Sequence, residues 1–179
     1  MGHIYFIRHG QTIWNTEHKI AGATDIPLTE LGHEQAKKAG RQLLAEGIRA
    51  DLILYSPLQR AADTARHIAE LTGIPCRPEP RLREQNFGKW EGTPTHGEGF
   101  IQDKQRFACH YDGGESMLQV GQRIYNLLDE LKEVSDRQTV ILVAHNGISR
   151  VVKSYFEDMT NEEYANFAVP NCSITRFDF

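Results

Sequence analysis

Short apolar runs alternate along this chain with segments of helical period, and that alternation leaves few architectures open. Residues 4–7, 51–55 and 139–144 are brief and rich in β-branched, leucine or aromatic residues. Runs of this kind fit strands covered on both faces, as in a parallel sheet. Between them lie helical patterns. Thr29 is a natural N-cap, and Leu31, Ala36, Ala39, Leu43 and Leu44 approximate one face before Gly47. Ser56-Pro57 reads as a cap with proline at the first helical position, followed by a stripe of Leu58, Ala61, Ala62, Ala65, Ile68 and Ala69. Strand, helix, strand, helix is the rhythm of an α/β fold: a three-layer, doubly wound, mostly parallel sheet with helices on both faces.

The remaining segments fit that frame. Residues 74–77 read as a short strand, and Met117, Leu118, Val120, Ile124, Leu127, Leu128 and Leu131 as the core face of a helix. Residues 148–156 can be helical, and residues 172–179 alternate enough for an edge strand, with Pro170 just outside it. Residues 93–115, rich in glycine, histidine and polar side chains, read as a small lid insertion. No linker divides the chain, so the expectation is a single domain over 1–179.

Composition narrows the class of function. With 40% hydrophobic and 25% charged residues the chain is of ordinary globular type, and its formal net charge of -4 argues against general nucleic-acid binding. The cysteines Cys76, Cys109 and Cys172 form no C-x-x-C pair and are odd in number, which suits a reducing compartment. No apolar run approaches the roughly 18 residues of a membrane span, and no secretory leader is read. The expected location is cytoplasmic, with no membrane partner.

The chemistry gathers at strand ends. The first run passes directly into Arg8-His9-Gly10; Arg60 lies in the first turn of the helix after the second run; His145-Asn146-Gly147 follows the strand at 139–144. In an open α/β sheet these ends share one edge, where ligands bind. Gly10 would let the backbone turn and approach a ligand, and Arg8 presents a planar fork of donors suited to phosphate. Each residue alone reads as an ordinary solvated charge or loop histidine. Two arginines and two histidines falling together at such positions is a far less common accident.

These residues also resemble a known family. Arg8-His9-Gly10-Gln11-Thr12 with Trp14-Asn15, Pro27-Leu28-Thr29 with Leu31-Gly32, and Ser56-Pro57-Leu58-x-Arg60-Ala61 follow the pattern of the histidine phosphatase, or phosphoglycerate mutase-like, superfamily. So do Leu82-x-Glu84, Gly88-x-Trp90-Glu91-Gly92, Gly114-Glu115-Ser116 and Val143-Ala144-His145, in the family's order. The resemblance implies His9 as a phosphorylated nucleophile, Glu84 as general acid and base, and Arg8, Arg60 and His145 around the phosphate. Asn15, Gly22 and Asn146 join the candidate substrate contacts. The chain departs from the family in placing Asn146, not glycine, directly after the second histidine; asparagine tolerates the left-handed region, so the turn is expected to survive.

Such a set needs no metal and no cofactor, because two arginines and a second histidine supply the positive charge that phosphoryl transfer requires. The expected activity is metal-independent phosphomonoester hydrolysis through a phosphohistidine, on a small phosphorylated metabolite or a phosphoprotein. The alternatives are a cofactor-dependent phosphoglycerate mutase and a non-catalytic phosphate-binding module. The resemblance implies a longer insertion for mutases. In this lid Glu98, Asp103, Asp112 and Glu115 outnumber Lys104 and Arg106, which is expected to leave little attraction for a second phosphate. His96, Cys109 and His110 could be metal ligands, though their spacing fits no zinc pattern. Trp14 and Trp90 read as packing beneath the site; Phe100, Phe107 and Tyr111 either contact substrate or anchor the lid. Oligomeric state is not legible.

Overall fold

The computed structural model describes residues 2–179, so only Met1 of the expected 1–179 domain lies outside the described residues. In chain order the elements are β1 (His3–Arg8), α1 (Ile13–Thr16), α2 (Glu30–Ala45), β2 (Leu52–Tyr55), α3 (Gln59–Thr72) and β3 (Cys76–Pro78). Then come α4 (Glu98–Asp103), α5 (Met117–Val134), β4 (Val140–Ala144), α6 (Asn146–Phe156), α7 (Asn161–Asn166) and β5 (Ile174–Asp178). The strands form one five-stranded sheet in the order β3-β2-β4-β1-β5, parallel except for β5 at the edge.

Alternation along each strand divides the core in two. Ile4, Phe6, Leu54, Leu142 and Ala144 pack with Val120, Ile124, Leu127 and Leu128 of α5 and with Ile148, Val151 and Val152 of α6. Tyr5, Ile7, Ile53, Ile141 and Val143 pack with Ala36, Ala39 and Leu43 of α2 and with Ala61, Ala65 and Ile68 of α3. Because both faces are covered, the parallel strands carry apolar side chains on both sides. This is the three-layer, doubly wound sheet expected. Among the described residues no helix is long and apolar enough to cross a membrane.

Several local readings need correction. Leu31 and Leu44 are 54% and 55% exposed, so they are not on the buried face of α2. That face is Gly32, Ala36, Ala39, Gly40 and Leu43, a stripe of small residues that lets α2 lie close to α3; a Cβ on Gly40 would meet Leu71 at 3.0 Å. Leu118 is 63% exposed, while Val120 is buried and Met117 is packed at the core's edge. Ser56 and Pro57 precede α3 instead of opening it: the N-cap is Leu58, without a side-chain cap bond. The third strand starts two residues later than read and ends one later, with Pro78 tolerated because β3 is an edge strand. Three short helices were not anticipated: α4 opens on Gly97 without a side-chain cap bond, and the others are α1 and α7. These latter two open on capping boxes, Thr12 with Asn15 and Thr160 with Glu163, a signal present in the sequence.

The lid is anchored by a small aromatic core of its own. Phe87, Phe100 and Tyr111 pack with Ile20 and Trp90, and the Trp90 indole N–H donates to Asp103 Oδ2 at 3.0 Å. Tyr111 is thus an anchor, while Phe107 lies elsewhere, against Tyr164.

Candidate active site

Strand register builds the centre of the site. β1 and β4 pair in parallel with Arg8 opposite Ala144, so the next residues, His9 and His145, leave the sheet side by side. The His9 N–H donates to the Ala144 carbonyl at 2.9 Å, and the two ring centroids are 5.2 Å apart. The chain after β1 runs to α2 on one face, whereas β4 leads into α6 on the other. Neighbouring strands whose connections diverge in this way open a crevice at the sheet edge.

His9 has a defined tautomer. Its Nδ1 lies 2.7 Å from the Gly10 carbonyl, which can only accept, so Nδ1 carries the proton and Nε2 keeps its lone pair. Burial, then the charges of Arg60 and Arg8, hold the ring well below the ordinary imidazole range, so it is neutral at pH 7. Asn171 Nδ2 fixes the same loop by donating to the His9 carbonyl at 2.8 Å. Gly10 serves packing within the protein: a Cβ there would sit 2.4 Å from the Gly32 carbonyl oxygen in the first turn of α2.

His145 lies deeper and is fully buried. Arg60 Nε donates to its Nδ1 at 3.2 Å, which leaves the ring proton on Nε2, 2.7 Å from Ser56 Oγ. Burial, then Arg60 and His9, keep this ring neutral as well. Arg60, expected among the phosphate contacts, is also fully buried; its Nη1 donates to the Thr24 carbonyl at 2.9 Å and its Nη2 to the Gly22 carbonyl at 2.8 Å. Gly22 therefore faces Arg60 through its carbonyl. Arg60, His145 and Gly22 form a layer behind the cavity wall, and none of the three lines the cavity.

Glu84 lines the same cavity as His9 and is buried. Its Oε2 accepts from the Gly147 N–H and its Oε1 from the Gln85 N–H, both at 2.9 Å. Burial nevertheless raises its pKa above the ordinary carboxyl value, the two N–H bonds offsetting part of that rise. A side chain at 147 is incompatible with this packing, because a Cβ would fall 2.3 Å from Glu84 Oε1. Asn146 does not occupy the left-handed region anticipated for it: it is the first residue of α6, and its Oδ1 accepts from the Val169 N–H at 3.0 Å.

The cavity between these groups has a volume of about 240 Å³. Of the residues singled out in the sequence as candidate contacts, Arg8, His9, Asn15, Glu84, Phe100 and Asn146 line it. Arg8 donates through Nη1 to the Val169 carbonyl at 2.6 Å, and its buried Nε has no partner. Asn15 Oδ1 accepts from the Thr12 N–H at 3.0 Å. Arg150 and Lys19 also line the cavity, although neither stood out in the sequence. Arg150 lies four residues beyond Asn146 on α6, about one turn along the same face, a spacing that could have flagged it once Asn146 was a candidate.

The charge balance of the lid differs from the one expected. Asp103 is engaged by Arg106 and Trp90, Asp112 by Lys89 and Glu115 by Arg123, whereas Lys104 enters the cavity. Burial, then Arg150, bring the Lys104 ammonium down to about 8. His96, Cys109 and His110 do not assemble: among the described residues no three His, Cys, Asp or Glu side chains gather into a group suited to a metal.

Comparison with known proteins agrees with this geometry. The chain is 31% identical over 183 residues to a protein of Yersinia pestis (strain Pestoides F) named probable phosphoglycerate mutase GpmB, covering 98% of this chain and 84% of the relative. A mycobacterial glucosyl-3-phosphoglycerate phosphatase, solved with VO3, superposes with a TM-score of 0.84 at 30% identity, over 98% of this chain and 90% of that one. The α-ribazole phosphatase of Shigella flexneri gives a TM-score of 0.80 at 28% identity, over 98% and 90%. The model of the histidine phosphatase superfamily (branch 1) matches residues 4–179. With that match spanning nearly the whole chain, the protein belongs to the histidine phosphatase superfamily.

Proposed function

We propose that the protein is a metal-independent phosphomonoesterase that works through a phosphohistidine on His9. The observation that carries this reading is the His9 ring itself: neutral, its Nδ1 proton held by the Gly10 carbonyl, its Nε2 lone pair unused beside a cationic cavity. Nε2 attacks the ester phosphorus, the bond from phosphorus to the leaving oxygen breaks, and Glu84, whose pKa burial raises toward that of a general acid, donates a proton to that oxygen. The ionised Glu84 then takes a proton from water, whose oxygen attacks the phosphohistidine and releases inorganic phosphate. Arg8 lies against the transferring phosphoryl group, with Arg60 and His145 adding charge and hydrogen-bonding capacity from behind. The phosphatases among the similar structures favour hydrolysis, and the cavity is open to solvent on one side, which admits water.

Brief mixing with a phosphate ester followed by mass spectrometry should find one acid-labile phosphoryl group on His9, and His9→Ala should lose both this adduct and turnover. Activity should persist in chelator. An adduct elsewhere, or full turnover by His9→Ala, overturns the reading. A mutase reading is favoured by the relative of that name and by the cations of the cavity. Faster interconversion of 3- and 2-phosphoglycerate than phosphate release, with a bisphosphoglycerate primer present, would establish it instead.

A further inference from the structure

Between α7 and β5 the chain forms no helix or strand, yet residues 167–172 reach many of the groups that shape the cavity. The Phe167 carbonyl accepts from Arg150 Nε at 2.7 Å and the Val169 carbonyl from Arg8 Nη1 at 2.6 Å, while the Val169 N–H donates to Asn146 Oδ1 at 3.0 Å. The Cys172 N–H donates to the Arg8 carbonyl at 2.9 Å. One side chain of this strap, that of Asn171, holds the site through its amide, although Asn171 does not line the cavity.

The Asn171 Nδ2 carries two hydrogens and meets two acceptors, the His9 carbonyl at 2.8 Å and Asn15 Oδ1 at 3.4 Å. The first bond pins one end of the peptide between His9 and Gly10, whose other end, the Gly10 N–H, donates to Thr64 Oγ1 at 3.0 Å. In the next peptide the Gln11 N–H donates to Gln35 Oε1 at 2.8 Å, and its carbonyl, that of Gly10, is the one that takes the His9 Nδ1 proton. The direction of the ring thus follows from two peptide planes, and those planes are held by side chains of α2, α3 and the strap. The second bond helps to fill Asn15 Oδ1, which also accepts from the Thr12 N–H at 3.0 Å, so the NH₂ is the end of Asn15 left to donate into the cavity. The turn that aims Asn171 is itself strained. The Ser173 N–H donates to the Pro170 carbonyl at 3.2 Å, closing residues 170–173, and Cys172 at the third position has a φ of 58°, a value that suits glycine. Its bond to the Arg8 carbonyl keeps that conformation in place.

We propose that Asn171 is a positioning residue for phosphoryl transfer: through one amide it fixes the direction in which His9 Nε2 presents its lone pair and the end of Asn15 that meets the phosphate. This inference rests on the reading of His9 as the nucleophile. Without the amide, the buried His9 carbonyl loses its donor and the peptide is free to turn; a displacement on the order of 1 Å at a reacting atom costs about 100-fold in rate.

The test replaces Asn171 by leucine, of similar shape but with no donor, and separately by alanine, with circular dichroism to verify folding. Rapid mixing with saturating p-nitrophenyl phosphate should show phosphohistidine forming about 10- to 100-fold more slowly in both. Nitrogen NMR of the ligand-free, histidine-labelled protein, assigned through His9→Ala, reads the ring without any turnover. With Asn171 present, one His9 nitrogen should be protonated and the other bare; in Asn171→Leu the two signals should move toward each other as tautomers mix. A residue that merely supported the fold would leave that signature in place. Asn15→Ala should also slow phosphorylation less in the Asn171→Leu background than alone, by at least about threefold, because the amide it removes is no longer aimed. A phosphorylation rate within about threefold of the unsubstituted protein in both variants, an unchanged His9 signature, or losses that simply multiply overturns the proposal. Failure of both variants to fold would assign Asn171 to the fold and overturn it as well. An altered signature in Asn171→Leu, with no phosphohistidine formed by the unsubstituted protein, would instead overturn the phosphatase reading and leave the hold of Asn171 on the ring standing.

Discussion

Replacing Glu84 by glutamine tests the acid role more sharply than removing it. Both carboxyl oxygens accept backbone N–H bonds, one from Gln85 and one from Gly147. A glutamine can offer only one oxygen, so its NH₂ must face one of those donors, leaving a buried N–H unpaired at a cost of about 1–3 kcal/mol in stability. The variant should still fold, since that cost is a fraction of the 5–15 kcal/mol typical of such domains. Catalysis should suffer according to the leaving group. A positioned general acid contributes about 10²- to 10⁴-fold, or about 3–5 kcal/mol of barrier, and only where the departing oxygen needs a proton. Steady-state kcat with an alkyl phosphate should fall by that factor, while p-nitrophenyl phosphate, whose phenolate leaves as a stable anion, should lose less than about tenfold in its phosphorylation step. Rapid-quench measurement of the phosphohistidine separates that step from its hydrolysis. Equal losses of the phosphorylation rate for both esters would refute the assignment of Glu84 as the acid.

Ser56→Ala leaves the His145 Nε2–H without its acceptor and should cost about 1–3 kcal/mol in denaturant unfolding and lower kcat, with Ser56→Thr restoring much of both. A full-activity, full-stability alanine variant would remove Ser56 from the site. Stability should also depend on pH through the buried site. His9 and His145 titrate in the fold well below 6.5, so below that value the unfolded chain binds more protons at these sites and acidification lowers stability, by at most about 1.4 kcal/mol per pH unit for each histidine. Glu84, raised above 4.5, binds more proton in the folded state and opposes that fall, so Glu84→Gln should steepen it. Urea melts at pH 5 and 6 check it, and an unchanged slope in Glu84→Gln would contradict a raised Glu84.

The parts legible in the sequence were those set by short-range chemistry. Three buried strands announce themselves because both faces are apolar, and a parallel sheet brings their ends together, so His9 and His145 could be placed on one edge without knowing their contacts. Period alone does not settle which residues of a helix face inward. Leu31 and Leu44 lie off the inward face of α2, where Gly40 lets the helix approach Leu71 of α3 and Gly32 lets it approach the Gln11 backbone. Arg150 looked like any helical cation, and only the packing of α6 beside the crevice turns it into the cavity. Ser56 was read as a cap since serine before proline usually is one, whereas here its hydroxyl meets a histidine from the neighbouring strand. The lid's charge count misled for the same reason: formal charge is additive along a chain, but Asp103, Asp112 and Glu115 are each paired away from the cavity that Lys104 enters.

The chain from Glu91 to Ser56 explains how the fold holds so much positive charge at one place. Glu91 Oε1 accepts from the Ala23 N–H at 2.7 Å and the Phe87 N–H at 3.1 Å, and its Oε2 from the Thr24 N–H at 2.8 Å. With those N–H groups engaged, the carbonyls of Gly22 and Thr24 turn to Arg60. Arg60 in turn donates to His145, and His145 to Ser56. Among the described residues no carboxylate forms an ion pair with Arg60; its nearest partners are carbonyl dipoles and a neutral ring, which solvate the guanidinium without cancelling its charge. A carboxylate in direct contact would have stabilised the empty protein further and competed with every incoming phosphate. Setting Glu91 one shell back keeps its attraction on Arg60 at a distance while leaving the field at the cavity positive, so the dianion that completes the balance is the ligand's own.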